Sequence, residues 1–427
     1  MKLELKSELV ESAPAHGKLA TEEGTFNGQS GPGRFDRWAL DQLFAAIGRP
    51  PIRLRLWNGL ETVCMGGAPV ATVDIHDRAT LLKLLIHPEL YFGEAYSTGT
   101  LEVEGPLVKF LEEMYLALAD APARNLLQQL VIRAIYRPRD TTLEDSKDNI
   151  HHHYNIGNDF YRLWLDEQMV YTCAYFRDPN CTLEQAQIAK MDHVCRKLEL
   201  KPGLSVVEAG CGWGSLALHM AKNYGVMVKA YNISHQQISY ARQRAQELGL
   251  QDRVEFIEDD YRNIRGQFDA FVSVGMLEHV GFKHLNAFGE VIRCSLKDSG
   301  RGLIHFIGRN RPTTLNPWIE RHIFPGGYPP ALSEVAKILE PGNFSVMDIE
   351  NIRLHYAKTL EHWLERFERA VPRVQEMFGE SFVRAWRLYL AGSAAAFYTG
   401  DMQLFHIVFN RQGNNQVPWT REYLYRS

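Results

Sequence analysis

The 427-residue sequence predicts an α/β fold: a doubly wound, mainly parallel sheet, with a smaller N-terminal α+β domain. Strand-like and helix-like segments alternate from residue 204 onward, as in parallel sheets covered on both faces. The apolar run "VVEAGCGWGSLAL" ends in three glycines spaced two apart (Gly210, Gly212 and Gly214), where a helical pattern begins. A composition of 45% hydrophobic and 23% charged residues is ordinary for a globular chain of two or three domains.

The N-terminal part divides into a tail and a small domain. Residues 1–35 are polar and rich in Gly and Ser, so we expect a disordered tail there. Residues 36–140 predict the α+β domain. A helix over "RFDRWALDQLFAAIG" comes first, and "IRLRLWNG" and "APVATVDIHD" alternate like strands of a meander. The helices "ATLLKLLIHP" and "LVKFLEEMYLALADA" follow.

A basic segment, "RNLLQQLVIRAIYRPRD", ends this domain. It places four arginines near an apolar stripe: Arg124, Arg133, Arg137 and Arg139. A basic amphipathic helix can lie on an anionic membrane, so this domain is a candidate for lipid contact. The equally weighted alternative is a helix that docks the two domains.

The larger domain is predicted over residues 141–427. Its strands are "LSVVEAG", "VMVKAYN", "RVEFIEDD", "FDAFVSVG" and "GLIHFIG". The helices "SLALHMAKNYG", "HQQISYARQRAQELG" and "HLNAFGEVIRCSLK" separate them. Two further strand patterns, "FSVMDIENI" and "MQLFHIVFNR", could close the sheet, with long helices between them.

Charge and cysteine usage exclude several classes of protein. The formal net charge of -4 does not suggest a nucleic-acid partner. The first residues lack the apolar core of a secretory signal, and no run of about 18 apolar residues could span a membrane. The six cysteines form no C-x-x-C pair, which favours a reducing cytoplasm. The spacing of the cysteines and histidines does not predict a metal site. The sequence does not decide the oligomeric state, and a homodimer is one of the alternatives.

The glycine turn predicts a ligand at the carboxyl end of the first strand of the larger domain. A dinucleotide would favour G-x-G-x-x-G and an acidic residue about 20 positions later. Here Ser215 breaks that spacing, and the second strand ends at Tyr231-Asn232. S-adenosyl-methionine, which has no pyrophosphate, fits better. Gln237 completes an S-x-x-Q capping box or contacts the ribose, and Asp260 is an adenine partner or a solvated turn residue.

Polar residues also follow the next two strands. Gly275, Glu278 and His279 come just after the fourth strand, and His305 and Ile307 lie on the fifth. Upstream, "HHHYNIGNDFYRLWLDEQMVYTCAYF" carries a cysteine among aromatic residues. A Cys, a Glu and a His could form a nucleophilic group or a metal site, and their spacing decides neither. The histidine triplet is more typical of a solvated loop.

Together and in order, a set of motifs resembles the cyclopropane fatty acid synthases and their mycolic acid relatives. They are "HYNIGNDFYRLWLD", "YTCAYF", "VEAGCGWG", "DDYR", "SVGMLEHVG", "IHFIG", "NPWIERHIFPGG" and "DMQLFHIVFNR". The resemblance covers roughly residues 75–411 and is strongest from residue 152 onward. It implies a Rossmann-like class I methyltransferase domain, with a smaller N-terminal domain in the long bacterial forms.

The resemblance also implies the site residues. A bicarbonate site would use the side chains or backbone of Cys173, Glu278, His305, Ile307 (through its backbone) and Tyr356. Contacts to S-adenosyl-methionine would come from Tyr171, Thr172, Gly210, Gly212, Asn232, Ile233, Gln237, Asp260, Tyr261 and Gly275. Asn232 stands where relatives usually have Thr.

The implied activity is methylene transfer to a cis double bond in a phospholipid acyl chain, by a cytoplasmic enzyme at the inner face of the membrane. Attack on the methyl group leaves a carbocation, which aromatic faces can stabilise. Candidates for that role are Tyr154, Tyr171, Tyr175 and Phe176. One alternative is a fatty-acid C-methyltransferase that makes methyl- or methylene-branched chains. Another is a non-catalytic lipid-binding protein.

Overall fold

The computed structural model describes residues 33–63, 67–120 and 156–425, and within them the chain forms two sheets. Almost all of the predicted tail lies outside these residues, although Arg34 already begins a helix. The arginine-rich segment, the histidine triplet and Tyr154 also lie outside them. Among the helices described, none is both long enough and apolar enough to cross a membrane.

The smaller sheet belongs to the N-terminal part and has the order β1-β2-β3. Its strands pair differently from a meander, because β1 and β2 run parallel and β3 is antiparallel to β2. The meander prediction was therefore wrong for the first pair. In chain order the elements are helix Arg34–Ala46, β1 Arg53–Leu56, β2 Thr72–Ile75, helices Arg78–Ile86 and Pro88–Thr98, β3 Leu101–Glu104 and helix Leu107–Asp120.

The larger sheet has the order β6-β5-β4-β7-β8-β10-β9. The first five of these run parallel, and β10 is antiparallel to both of its neighbours. This order confirms the doubly wound, mainly parallel fold. The strands are β4 Ser205–Ala209, β5 Met227–Asn232, β6 Val254–Glu258, β7 Phe268–Val274, β8 Leu296–Gly308, β9 Phe344–Asn351 and β10 Gln403–Arg411.

Helices cover both faces of this sheet. Val206 and Val207 are adjacent on β4, yet they belong to different apolar clusters, because successive side chains of a strand point to opposite faces. The helices are Asn158–Tyr161, Leu183–Lys197, Ser215–Tyr224, His235–Glu247, Leu277–Val280, Leu285–Ser295, Pro317–His322, Leu332–Leu339, Arg353–Phe378 and Glu380–Thr399.

The N-terminal part packs directly on the larger domain. Gly93 lies so close to Trp318 that an added Cβ would come within 2.4 Å of the indole. Arg384 places its guanidinium 4.6 Å from the centre of the Tyr96 ring and donates to Glu102 at 2.8 Å. One apolar cluster continues across both parts. The N-terminal part is therefore positioned to line a site in the larger domain.

Candidate active site

The glycine turn follows β4, and its three glycines serve different purposes. All three have positive φ (85°, 53° and 85°), a conformation that favours glycine. An added Cβ at Gly210 would lie 2.7 Å from Met276, and one at Gly214 would lie 2.6 Å from Phe256. A Cβ at Gly212 would meet nothing within 4 Å. Packing therefore explains the two outer glycines, whereas Gly212 leaves open space that a ligand can fill.

Five of the predicted cofactor residues line one small cavity at the strand ends: Gly210, Asn232, Ile233, Asp260 and Tyr261. Two more are tied to it through the amide of Asn232, which donates to the Gly212 carbonyl at 3.2 Å and to Gln237 Oε1 at 2.7 Å. These contacts bring the ends of β4 and β5 together, as a bound nucleoside requires.

Gln237 and Asp260 both make structural contacts, and Asp260 is buried rather than solvated. The backbone N–H of Gln237 donates to Ser234 Oγ at the start of a helix, but the Gln237 side chain accepts from Asn232 and the Ser234 N–H donates to Asn232, so only half of the predicted capping box forms. Asp260 caps a short turn and pairs with Arg262 at 2.7 Å. Asp260 still lines the small cavity, and the Gln237 side chain contacts the amide of Asn232, which also lines it. These structural roles therefore do not remove either residue from the site.

A second, much larger cavity of about 890 Å³ adjoins the first at His279, which lines both. The remaining predicted cofactor residues, Tyr171, Thr172 and Gly275, lie in its wall. So do side chains from the N-terminal part, which the sequence did not lead us to expect. The apolar and aromatic residues of the wall include Phe92, Leu111, Tyr115, Leu315, Trp318, Ile319, Phe324, Leu360, Leu388, Tyr389 and Phe397.

Four of the five predicted bicarbonate residues also line this cavity: Glu278, His305, Ile307 and Tyr356. Glu278 Oε1 accepts a hydrogen bond from the Ile307 N–H, which links the residues after β7 to β8. Its Oε2 is buried and has no hydrogen-bond partner among the described residues. Burial raises the pKa of Glu278 to about 7. A carboxyl group of this kind can hold or exchange a proton near neutral pH.

Cys173 is placed differently from the other four. Its side chain is fully buried, it is not among the residues lining the cavity, and Sγ donates to the Ala174 carbonyl at 3.1 Å. Burial raises the pKa of its thiol, which disfavours the thiolate that a nucleophile or metal ligand needs. The nucleophile and metal alternatives for the Cys, Glu and His set therefore find no support in this geometry.

The predicted aromatic set is also split. Tyr171 lines the cavity, and its hydroxyl lies 2.7 Å from that of Tyr389. Tyr175 instead stacks between His193 and His355, with ring centroids 4.3 and 4.6 Å away. Phe176 is buried against imidazoles as well and does not line the cavity. Tyr175 and Phe176 are thus structural here.

Three buried polar residues near the cofactor residues were not predicted. Lys190 donates to Thr172 Oγ1 at 2.8 Å, and burial lowers its pKa to about 8. Burial raises the pKa of Glu208, two residues before the glycine turn, to about 8. An acid just before the glycines was a usable signal for Glu208. The third residue, Tyr389, has no such sequence signal, because it lies in an apolar helix.

The sheet order, the glycine turn after β4 and the cavity-lining residues at the ends of β5 to β7 are those of a class I S-adenosyl-methionine-dependent methyltransferase. The chain belongs to the mycolic acid cyclopropane synthetase family, whose model matches residues 141–407. Residues 39–121 match a second model, described as a domain of unknown function.

Relatives and solved structures agree with this assignment. The chain is 42% identical to the cyclopropane-fatty-acyl-phospholipid synthase of Escherichia coli K12, over 84% of this chain and 93% of the relative. It is 37% identical to a probable fatty acid methyltransferase of Pseudomonas putida, over 88% of this chain and 96% of the relative. The Mycobacterium tuberculosis cyclopropane synthase MmaA2 superposes with a TM-score of 0.59 at 28% identity, over 62% of this chain and 97% of that one.

Proposed function

We propose that this enzyme transfers a methylene group from S-adenosyl-methionine to the cis double bond of an unsaturated phospholipid acyl chain, forming a cyclopropane ring. The observation that carries the proposal is the apolar cavity, which contains a buried carboxyl group and a buried imidazole and adjoins the cofactor residues. Each CH₂ of an acyl chain gains about 0.8 kcal/mol on leaving water. The name of the Escherichia coli relative supports the acyl chain of a phospholipid as the acceptor of the methylene group.

The apolar wall suits the difficulty of the reaction. An alkene is a weak nucleophile, so alignment of the chain against the cofactor supplies much of the rate. The carbocation that follows would be trapped by water, so the reaction needs an apolar surface such as this part of the wall around the reacting carbons. Tyr171, Tyr356 and Phe397 present aromatic rings to the cavity and can stabilise the cation.

Ring closure requires a proton to leave the added methyl group, and the polar residues of the cavity serve that step. Glu278 Oε2, buried without a partner among the described residues, fits a hydrogen bond to a small oxyanion. Bicarbonate held by Glu278, His305 and Tyr356 would supply the oxygen that accepts the proton. Cys173 would contribute from outside the cavity wall, through the backbone that its thiol contacts.

A branched-chain product is the second candidate. The Pseudomonas putida relative is named a probable fatty acid methyltransferase and covers more of this chain than the Escherichia coli one does. The same carbocation gives a methylene or methyl branch if it loses a different proton. The position of the proton acceptor relative to the cation therefore decides the product.

Mass spectrometry of phospholipids separates the two candidates. After expression in a host rich in unsaturated chains, we expect acyl chains that gain the mass of one CH₂ unit and lose the reactivity of the alkene. A matched host with the Glu278→Gln variant controls for endogenous lipids. The same mass gain with the double bond retained would support branching, and no mass gain would contradict both.

We also propose that the enzyme works at the inner face of the membrane, where its substrate lies. Phe35 and Trp38 are 48% and 55% exposed on the first helix, with ring centroids 5.8 Å apart. Exposed arginines flank them at positions 34 and 37. Aromatic rings beside basic residues suit the interface of an anionic bilayer.

Vesicle co-sedimentation tests this membrane contact. Binding to anionic vesicles should weaken with salt, because each basic residue near the surface contributes about 1 kcal/mol. It should weaken further in a Phe35→Ser/Trp38→Ser variant, whereas Trp419→Ser, at a tryptophan that is fully exposed, serves as the control. Vesicle binding that changes neither with salt concentration nor in the Phe35→Ser/Trp38→Ser variant would contradict the proposal. A further variant replaces by Gln the arginines predicted to contact lipid, Arg124, Arg133, Arg137 and Arg139.

A further inference from the structure

A row of polar side chains crosses three adjacent strands behind the large cavity. His305 on β8 is paired in register with His406 on β10, which is paired in turn with Glu350 on β9. Residues directly opposite each other in antiparallel strands place their side chains on the same face. His305 Nδ1 accordingly lies 2.7 Å from His406 Nε2, and both imidazoles are almost completely buried.

The far end of the row is an ion-paired group. Glu350 Oε2 accepts from His193 Nε2 at 2.7 Å and from Lys197 Nζ at 2.8 Å. His193 and Lys197 are four residues apart on one helix and so share a face. Burial alone would raise the pKa of Glu350, but the His193 hydrogen bond and the Lys197 charge lower it to about 2. Glu350 is therefore ionised and fixed.

Among the described residues, His193, Glu350 and His406 lie close enough to hold a metal ion together. However, the Lys197 ammonium already contacts the Glu350 oxygen that a metal would need. A second cation there would be repelled, so the group is better explained as a hydrogen-bonded network.

The protons of this network can be counted from the cavity outward. His305 uses Nδ1 for His406 and so has Nε2 left for a ligand in the cavity. If a bicarbonate ion shares its one proton with Glu278, His305 must donate from Nε2. Burial lowers the pKa of His305 well below its usual value, so the ring is neutral and has one N–H. Nδ1 must then accept, and His406 must donate from its Nε2.

The environment of His406 favours that arrangement. In that arrangement His406 Nδ1 carries a lone pair and no proton. This atom is buried without a hydrogen-bond partner among the described residues. Burial, followed by the charge of Lys197, lowers the pKa of His406 well below its usual value, so this ring is neutral as well. Buried N–H groups without a partner are rarer in proteins than buried acceptors without one, so the proton of His406 is better placed on Nε2, where His305 Nδ1 accepts it.

We propose that His406 is a positioning residue that sets the tautomer of His305, so that His305 donates a hydrogen bond into the cavity. The inference rests on the proposed function in one respect, namely that His305 holds an oxyanion. The tautomers themselves exist without substrate and can be measured on the free enzyme.

Nitrogen NMR of protein labelled with ¹⁵N-histidine reads the tautomers directly, because protonated and unprotonated ring nitrogens resonate far apart. The signals are assigned by their loss in His305→Asn and His406→Gln variants. We expect Nε2 to be protonated in both rings of the wild-type enzyme. A proton on Nδ1 of His305 would overturn the proposal, whether or not the enzyme forms a cyclopropane ring.

Turnover provides the second readout. His406→Leu removes the donor and should lower kcat by about 10- to 100-fold, the range for partners that orient functional histidines in metal sites. The KM for lipid and the affinity for S-adenosyl-methionine should hardly change. His406→Gln keeps an N–H near the position of Nε2 and should restore most of the rate.

The control for a lost buried imidazole is His219→Leu. His219 is buried and paired with Asp192 at 2.8 Å, but it makes no contact with His305. We expect it to lower the melting temperature while kcat of the folded enzyme stays near wild type. Equal losses of kcat in His406→Gln and His406→Leu would overturn the positioning role, and so would an equal loss in His219→Leu. A wild-type enzyme that forms no ring contradicts the proposed function, and the NMR result still decides the tautomer.

Discussion

Replacement of Glu278 by glutamine should lower turnover by about 10²–10⁴, the usual contribution of a positioned proton-transfer group. Glutamine keeps the size of the side chain, and its carbonyl oxygen can still accept from the Ile307 N–H. It cannot share a proton with an oxyanion as a carboxylate does. The affinity for S-adenosyl-methionine should remain close to wild type, because the glycine turn does not contact this carboxyl group. Calorimetry and a lipid turnover assay on one preparation measure both quantities.

Cys173→Ser is the matched comparison for the Glu278 variant. Its thiol donates to a neighbouring carbonyl and does not line the cavity, and a hydroxyl can make the same bond. We therefore expect a much smaller loss of turnover. A Cys173→Ser enzyme as inactive as Glu278→Gln would contradict the assignment of roles, and so would a Glu278→Gln enzyme near full rate.

The stability of the Glu278→Gln variant as a function of pH provides a second test of this carboxyl group. Burial raises the pKa of Glu278 from 4.5 to about 7, so the folded state binds its proton more tightly than the unfolded state does. The resulting stabilisation is complete below pH 4.5 and is lost as the pH rises through 7. At about 1.4 kcal/mol per pKa unit, the loss is roughly 3 kcal/mol. The Glu278→Gln variant has no carboxyl group at this position and so does not lose this stability. Its melting temperature relative to that of the wild type should therefore rise between pH 5 and 8.

The doubly wound sheet could be predicted because its signals are local. The central strands contain apolar runs and helices lie in most of the connections between the parallel strands, so the alternation itself indicates parallel pairing. The N-terminal sheet lacks such a signal. Its strands have four residues each, and period-two alternation does not say whether β1 and β2 run parallel or antiparallel.

The candidate site was predictable where its residues follow neighbouring strands. Glu278 comes after β7 and His305 lies on β8, so the carboxyl edge of the sheet brings them together. The contact of His305 with His406 depends on an antiparallel register between residues 101 positions apart. The apolar run "MQLFHIVFNR" does not indicate that its histidine contacts His305. The wall residues Phe92 and Tyr115 depend on how two domains pack, which sequence periodicity does not record.

Gly212→Val should abolish measurable binding of S-adenosyl-methionine. The side chain would enter the open space next to the glycine turn, where a Cβ meets nothing within 4 Å in the free protein. If wild-type binding is in the micromolar range, about -8 kcal/mol, loss of the ligand's place removes most of that free energy. Calorimetry of both proteins, with NAD as a ligand that neither should bind, measures the effect.

Valine at this position also strains the backbone, because Gly212 has a φ of +53°. A left-handed conformation costs a residue with a side chain roughly 1–2 kcal/mol. Gly249 provides the matched control, since its φ is +66° and an added Cβ there also meets nothing within 4 Å. Gly249→Val should lower the melting temperature by a similar amount and bind S-adenosyl-methionine normally. If the two variants bind equally well, Gly212 does not contact the cofactor. If they bind equally poorly, backbone strain explains the loss, and the open space beside Gly212 is not where the cofactor lies.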